Sequence, residues 1–400
     1  MNIETPVAGF SVKLGCDPEF FFKKNGQVIG SEKVIDIKNG LQMSNKVSRF
    51  IVDGVQAELN PAPNSCRANL ANEISYCFKV LRDKLKAEHG DVSTSFSPVE
   101  EISKDELASL DTSSRVFGCA PSMNTNPESR GSATLVDPSE YRYRSAGGHI
   151  HLGRNILENG GNVSYNAYCA KLDNPEALIP VMDILVGNTC VLIDRDPGNI
   201  ERRKVYGRAG EYRTPAHGIE YRTLSNFWLR AYPLMSLVMS LARFSSDIVS
   251  NPPEYSETLL SLVNMDDIHK AINENDFDLA MSNYQKVKPF ILAAAQASGD
   301  RHPITKNNVD DFEYFVKLGI DYWFTRDPIE HWTNLPECHT GGWECFLMYT
   351  VHPHRLSAVE AVNAKEEIAA TTQATTPKKA TKTVAKVAAA EQPFLRFDVA

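Results

Sequence analysis

The sequence predicts an α+β fold, and three observations carry that expectation. Short segments in which polar and apolar residues alternate at period two recur between Cys16 and Arg222, the signature of strands with one wet and one dry face. Between them, and continuously beyond Ser225, apolar residues return at helical spacing. Four hundred residues with 42% hydrophobic content can bury one large core or two modest ones.

Taken in order, Cys16-Asp17-Pro18-Glu19-Phe20-Phe21-Phe22 opens with two carboxylates at i and i+2, on one strand face, and runs into apolar residues. Asn25-Gly26 is a hairpin turn signal, with Gln27-Val28-Ile29-Gly30 as the return strand. Phe50 to Pro61 predicts a further strand with Glu58 and Asn60 sharing a face. Asn64-Ser65 is read as the cap of a helix whose stripe is Leu70, Ile74, Phe78, Leu81 and Leu85. From Asp91 to Thr112 the chain is more polar and predicts a surface connection with one short helix. Asn174-Pro175-Glu176 starts another helix, and the stretch Ala177 to Ile193, apolar on most sides, is predicted to be deeply buried and to end at Asp196-Pro197-Gly198. Ser225 to Ile248 predicts a long core helix with Pro233 at a kink or at its true start. From Glu254 to Trp323 the spacing is again helical, and no internal repeat is visible.

The chemistry lies on the strands. His149 and His151 in Gly147-Gly-His-Ile-His-Leu-Gly153 share one face, as do Glu220 and Arg222 in Gly218-Ile-Glu-Tyr-Arg222. Carboxylates in this number repel one another unless cations stand between them. Imidazoles and carboxylates beside a guanidinium suit a divalent metal bound to a phosphate-bearing ligand, with arginine on the phosphate oxygens. Oxygen donors and few thiols favour magnesium or manganese over zinc. No Walker-type segment occurs, so a nucleotide here is not held by a P-loop. Each motif alone has a plainer reading: core histidines, an edge strand with solvent-facing Asp17 and Glu19, or a structural Glu220–Arg222 ion pair. Their coincidence in one chain favours the joint reading.

Five segments together resemble the phage phiEco32-like carboxylate–amine ligase (amidoligase) type 2 family, which is related to glutamine synthetase and glutamate–cysteine ligase. They are Gly15-Cys-Asp17-Pro-Glu19-Phe, Asp53-Gly-Val-Gln-Ala-Glu58-Leu-Asn60, Gly147 to Gly153, Tyr206-Gly-Arg208-Ala-Gly-Glu-Tyr-Arg213, and Gly218-Ile-Glu220-Tyr-Arg222-Thr-Leu-Ser-Asn-Phe-Trp228. The resemblance fades after about Phe244. It implies a glutamine-synthetase-like curved antiparallel sheet, with the site on its concave face and helices packed on its outer face. It further implies ATP and Mg2+ (or Mn2+) as cofactors, and amide formation through an acyl phosphate. Asp17, Glu19, Glu58, His149 and Glu220 match the metal ligands. Asp17 stands where glutamine synthetases carry a longer Glu. His151 and Arg222 match the groups that meet nucleotide phosphates, and Arg208 and Arg213 resemble arginines near the transferred phosphoryl group or the substrate carboxylate. A bacteriophage source, action in a host cytoplasm, an oligomer, and a peptide, polyamine or cell-wall precursor as substrate belong to the same implication.

Composition sets the outer bounds. A net charge of −8 and a pI near 5.7 argue against a nucleic-acid-binding surface. No apolar run is long enough for a membrane span, and Met1-Asn-Ile-Glu-Thr-Pro lacks the pattern of a secretion signal. Eight scattered cysteines without a Cys-x-x-Cys pair fit reduced thiols in a cytoplasm. The expected ligase domain spans residues 1–355. Residues 356–391, rich in Ala, Thr and Lys, read as a flexible linker. Residues 392–400, with Phe394, Leu395 and Phe397, read as a docking peptide for the chain's own domain or another protein, or as an idle tag. Three rival readings are a metal-dependent hydrolase, a zinc module built from Cys338, His339, Cys345, His352 and His354, and a ligase-like protein that binds without turnover.

Overall fold

The computed structural model describes residues 12–334 apart from 65, 118–121, 127–136, 139, 154–173, 251–252, 299–305 and 320–326. The linker at 356–391, the terminal peptide at 392–400 and the Cys338–His354 group lie outside the described residues.

The first strands show how the alternating pattern is used. Strand β1 (Lys13–Cys16) and strand β2 (Glu19–Lys24) are separated only by Asp17-Pro18, yet they belong to different sheets. Proline cannot donate a ladder hydrogen bond, so the chain leaves one sheet there and joins the next. Asn25 and Gly26, both at positive φ, close the hairpin from β2 to β3 (Gln27–Ile29). These are the backbone conformations that a two-residue turn between twisted strands requires. Strands β4 (Leu41–Gln42), β5 (Arg49–Asp53) and β6 (Gln56–Asn60) follow, and β6 pairs with β2. In this register Glu19 faces Glu58 across the ladder while Phe20 faces Ala57. One face is therefore acidic and the other apolar. The apolar face carries Phe20 and Phe50, whose rings lie 5.9 Å apart, with Phe78 of the helix α1 (Arg67–Glu88) and Phe96 packed against them. Burying each such ring is worth about 1.5–3 kcal/mol.

The second sheet carries the histidines. With β7 (Val92–Ser95), β8 (Val99–Glu101), β9 (Met123–Asn124), β10 (Tyr143–Ser145), β11 (Ile150–Gly153), β12 (Glu211–Arg213) and β13 (Gly218–Tyr221), its order is β1-β11-β13-β12-β9, and every pairing is antiparallel. Strand β7 joins β2, and β8 pairs with β10. The described strands thus form three ladders rather than the one curved sheet expected. The two large ones are joined through Asp17-Pro18 and through the Glu19 N–H, which donates to the Gly147 carbonyl at 2.9 Å.

Helices cover the apolar sides. The buried helix begins at Pro175 after Asn174 as expected, but it widens into a π turn at Asp183–Asn188 before ending at Val191. The Asp183 carboxylate in that turn accepts a 2.7 Å hydrogen bond from the Tyr221 hydroxyl, on the dry face of β13. Asp196-Pro197-Gly198 does not simply end a helix; it opens a short one, Gly198–Arg202. Pro233 lies in the first turn of the helix Tyr232–Ser250, which settles its place at a start, and a 3-10 turn, Asn226–Arg230, precedes it. Helix α1 starts at Arg67, later than the predicted cap, because Asn64 is engaged in a bridge to Leu14. Strands β7 and β8 fall in the stretch expected to be a surface connection, where Ser and Thr mask the alternation. Helices Pro253–Ser261, Met265–Glu274, Phe277–Ser298 and Lys306–Leu318 occupy the region of helical spacing. Among the described residues no helix is long and apolar enough to cross a membrane.

Two glycines hold the sheets together. A Cβ at Gly148 would overlap the Ser225 carbonyl oxygen and lie 2.5 Å from Trp228 Nε1, and one at Gly147 would overlap His149 Nε2. Gly148→Ala is therefore expected to lower stability by about 1–3 kcal/mol in urea unfolding, as overpacking does. Gly90→Ala, where nothing lies within 4 Å, should change it by less than about 0.5 kcal/mol. Equal stabilities would refute the close-packing account.

Candidate functional site

Register alone assembles the first half of the site. Gly15, His151, Glu220 and Arg213 form one row across β1, β11, β13 and β12. Residues paired in an antiparallel ladder share a face, so His151, Glu220 and Arg213 project together. Gly15 leaves room at the end of the row, since a Cβ there would sit 3.3 Å from His151 Cβ. Two residues further along each strand stand Asp17, His149 and Arg222, just past the strand ends. The Arg222 N–H donates to the Glu211 carbonyl and carries the ladder one step on.

The side chains converge. His149 Nδ1 lies 3.2 Å from Asp17 Oδ1 and 3.4 Å from Glu220 Oε1, and His151 Nε2 lies 3.1 Å from Asp17 Oδ2. Arg213 Nη2 at 2.7 Å and Arg222 Nε at 3.1 Å meet the same Glu220 Oε1. His151 Nδ1 is 2.8 Å from His217 Nε2, with the two rings stacked. Asp17, His151 and Glu220 each offer a donor atom within 4.8 Å of the others. The imidazole–carboxylate pairs are near but not aligned: Asp17 Oδ1, both ring nitrogens of His149 and His151 Nε2 are buried without a hydrogen bond. Leaving four such atoms unsatisfied is costly, and a divalent cation would take the lone pairs of Asp17 Oδ1 and of one nitrogen on each ring. The donor set fits the expected metal.

The second half is all oxygen. Glu19 and Glu58 are ladder partners, and Asp53, at the hairpin end of β5, brings a third carboxylate within 4.8 Å. Glu19 Oε2 accepts from the Gly147 N–H at 2.6 Å and from the Tyr206 hydroxyl at 2.8 Å. Asn60 Nδ2 donates to Glu58 Oε1 at 2.7 Å. Three hard oxygen donors are the chemistry of a magnesium site.

Electrostatics separates the two halves. Burial alone would raise the Asp17 carboxyl, but the charges of His151 and His149 override it and hold it well below the usual carboxylate range. Burial lowers His151, yet Asp17 more than offsets it and the ring is pushed up. His217 is pushed down by partial burial and by the His151 charge beside it. In the oxygen group burial pushes Asp53 up to about 7, helped by the Glu19 and Asp17 charges. Glu58 rises well above its ordinary value by burial and by Asp17, Asp53 and Glu19. Without a cation Asp53 and Glu58 are thus biased toward their protonated forms.

Of the sequence-predicted metal ligands, Asp17 and Glu220 fall in the first group and Glu19 and Glu58 in the second, while His149 stands beside the first, 3.2 Å from Asp17 and 3.4 Å from Glu220. Three placements differ from expectation. His151, matched to phosphates, offers its ring nitrogen to the Asp17–Glu220 group, while His149 lies deeper at 1% exposure. Arg222, also matched to phosphates, is fully buried; it braces Glu220 and bonds Ser122 Oγ at 2.9 Å. Arg213, 29% exposed, is the arginine of the pair that opens to solvent. Arg208 turns its Nε to the Arg203 carbonyl at 2.8 Å. Asp53, Tyr206 and His217 were not singled out by sequence. Tyr206 stacks under Arg202 and Arg222 at 4.6 and 5.4 Å, which aims its hydroxyl at Glu19. Pairing β5 with β6 would have revealed Asp53, since Ile51 faces Glu58 and Asp53 is two residues on.

The model of the family described as phage phiEco32-like COOH.NH2 ligase-type 2 matches residues 135–251. That segment holds β11 to β13 and the Tyr206–Gly210 loop, whereas the Asp17 to Glu58 carboxylates precede it. Among solved structures, a bifunctional glutathione synthetase from Pasteurella multocida matches at 10% identity and a TM-score of 0.46, covering 81% of this chain. The chain spans 48% of that structure's length. No curated protein matches the sequence.

The raised Asp53 carboxyl makes a stability prediction. A carboxyl whose folded value lies near 7, above its ordinary value of about 3.9, contributes stability below the ordinary value and loses it as pH rises through 7. In chelator, the thermal midpoint should therefore fall from pH 5 to pH 8, on the order of 5 °C. Asp53→Asn should flatten that fall, and Mg2+ at pH 8 should restore the wild-type midpoint. Parallel pH profiles for the two proteins would contradict the crowding of the oxygen group.

Proposed function

We propose that the chain is an ATP- and Mg2+-dependent ligase that joins a carboxylate to an amine through an acyl phosphate. The observation that carries this reading is the pair of adjoining donor groups, Asp17–His151–Glu220 and Glu19–Asp53–Glu58, with the solvent-open Arg213 at the edge of the first. Phosphoryl transfer depends on charge neutralisation and in-line positioning more than on covalent help from the protein. Divalent cations, when bound, supply that neutralisation. The chain's own residues hold the geometry. Arg222 fixes Glu220 from beneath, Tyr206 and the Gly147 N–H fix Glu19, and Arg213 is placed to meet phosphate oxygens.

In the reaction so read, a substrate carboxylate oxygen attacks the terminal phosphorus of ATP and ADP leaves. The amine nitrogen then attacks the acyl carbon, phosphate leaves, and the nitrogen loses a proton. The acidic faces of the two joined sheets stand for the concave face that a glutamine-synthetase-like ligase uses, with α1 and its neighbours behind. The family match over residues 135–251 supports the ligase class. A hydrolase would have no use for Arg213 and Arg222 on one carboxylate. The substrates we propose are a small-molecule or peptide acid and an amine, with action in a cytoplasm.

The test is calorimetric titration of a non-hydrolysable ATP analogue with and without Mg2+. Binding should require Mg2+ and weaken at least about tenfold in Glu220→Gln and in Glu58→Gln, roughly 1.4 kcal/mol each. Arg213→Ala should weaken it with the Mg2+ requirement intact. Equal binding with and without Mg2+ in all four proteins would sink the reading.

A further inference from the structure

His217 is an exposed histidine next to the site with no part in the chemistry above, yet its placement is tightly fixed. It lies on the turn between β12 and β13, closed by the Gly218 N–H donating to the Pro215 carbonyl at 3.0 Å. Gly218, at φ 153°, sits so close to β11 that a Cβ would overlap the Leu152 carbonyl oxygen. A Cβ on Gly153 would in turn lie 3.5 Å from the His217 carbonyl oxygen. The backbone therefore presses the turn onto the end of β11, and the His217 ring stacks on His151 at 5.0 Å between centroids and 29° between planes. Its Nε2 stands 2.8 Å from His151 Nδ1.

One contact between two neutral imidazoles decides a tautomer. A neutral ring carries one proton, and the nitrogen that carries it cannot ligate. For His151 to offer Nε2 to the group it shares with Asp17 and Glu220, its proton must sit on Nδ1 and needs an acceptor there. His217 Nε2 is that acceptor, which puts its own proton on Nδ1. The opposite arrangement would turn the His151 Nε2 proton toward Asp17 Oδ2, 3.1 Å away, and remove the only nitrogen of the three-residue group. A cation at Asp17 removes that carboxylate's pull on the proton, and the His217 acceptor then decides. Ligating histidines are held in this way through their second nitrogen, ordinarily by a carboxylate, a carbonyl or water. Here a second histidine does it.

We propose that His217 is a positioning residue that fixes the tautomer and ring plane of His151, so that Nε2 faces the cation space between Asp17 and Glu220. This inference rests on the cation reading of that group. Its test compares wild type with His217→Phe, which keeps a flat ring but has no acceptor, and His217→Gln, whose amide oxygen can accept.

Two readouts separate the possible failures. The first is titration with Mn2+ alone, followed by the resonance of free Mn2+. Wild type should bind, His217→Phe should bind about 10–100-fold more weakly, as loss of an outer partner does, and His217→Gln should recover part of the loss. The second is the nitrogen resonances of histidine-labelled protein saturated with diamagnetic Mg2+, at a pH high enough that the His151 ring is neutral. They should show the proton on Nδ1 of His151 in wild type and its shift to Nε2 in His217→Phe. An unchanged His151 tautomer in His217→Phe overturns the proposal, whatever the affinities. Failure of wild type to bind Mn2+ removes the cation reading itself, whereas binding of equal strength in wild type and His217→Phe overturns this proposal alone.

Discussion

Five carboxylates, Asp17, Glu19, Asp53, Glu58 and Glu220, are drawn to one side of two joined sheets, and their mutual repulsion is the constraint around which the rest of the molecule is arranged. Buried like charges are not tolerated without partners, and the chain supplies two different kinds. Around Asp17 and Glu220 stand two imidazoles and two guanidiniums, with contacts of 2.7–3.4 Å. Around Glu19 and Glu58 stand neutral donors, the Gly147 N–H, the Tyr206 hydroxyl and the Asn60 amide, while the Arg222 charge acts on Asp53. In this second group burial and the neighbouring carboxylates push Asp53 and Glu58 up toward neutrality. A site built in this way is unstable by itself and stabilised by its ligand, the trade expected where binding energy is stored for function.

The architecture follows from keeping the groups adjacent. Asp17-Pro18 passes the chain from the histidine-bearing sheet to the carboxylate-bearing one without a loop between them. Gly147 and Gly148 then let the opposite strand approach to backbone contact, since any Cβ there would strike His149, Ser225 or Trp228. Asn226 ties the seam from behind, its amide donating to the Glu19 carbonyl at 2.8 Å. Each device replaces side-chain volume by main-chain hydrogen bonds at the line where the two acidic faces meet. Rigid strands are the natural carriers for such a site, because a loop would let the charges move apart.

Much of this was legible in the sequence where period two and charge coincided. The His149/His151 and Glu220/Arg222 pairs declare their faces directly, and the structure turns each face inward. Asp17 and Glu19, expected on one strand face, instead fall on the two sides of the switch between sheets. The Asn25-Gly26 hairpin and the helix after Asn174-Pro175 were legible because turn and cap chemistry is local. What depended on pairing was not. Asp53 joins Glu58 only through the β5–β6 register, and His217 reaches His151 only because Gly218 is pressed against Leu152. The same limit separates Arg222 from Arg213. Sequence puts both near Glu220, but which one is buried depends on Tyr206 and Ser122, neither of which the local pattern connects to it.

The burial of Arg222 changes how the site distributes its work. An arginine at no exposure, holding Glu220 Oε1 at 3.1 Å, cannot also travel to a phosphate without releasing that carboxylate. Fixing a ligand and meeting a substrate are competing demands on one guanidinium, because its fork is planar and its donors point in set directions. Both guanidiniums hold the Glu220 oxygen, Arg213 at 2.7 Å and Arg222 at 3.1 Å, and of the two it is Arg213 that also opens to solvent. His149 and His151 divide in a parallel way, the first at 1% exposure between Asp17 and Glu220, the second nearer the surface with His217 behind it. In each pair the buried member fixes the field and the outer member faces what enters. A loss at Arg222 would therefore loosen Glu220 from its buried side, whereas a loss at Arg213 removes the 2.7 Å contact together with the outward-facing charge.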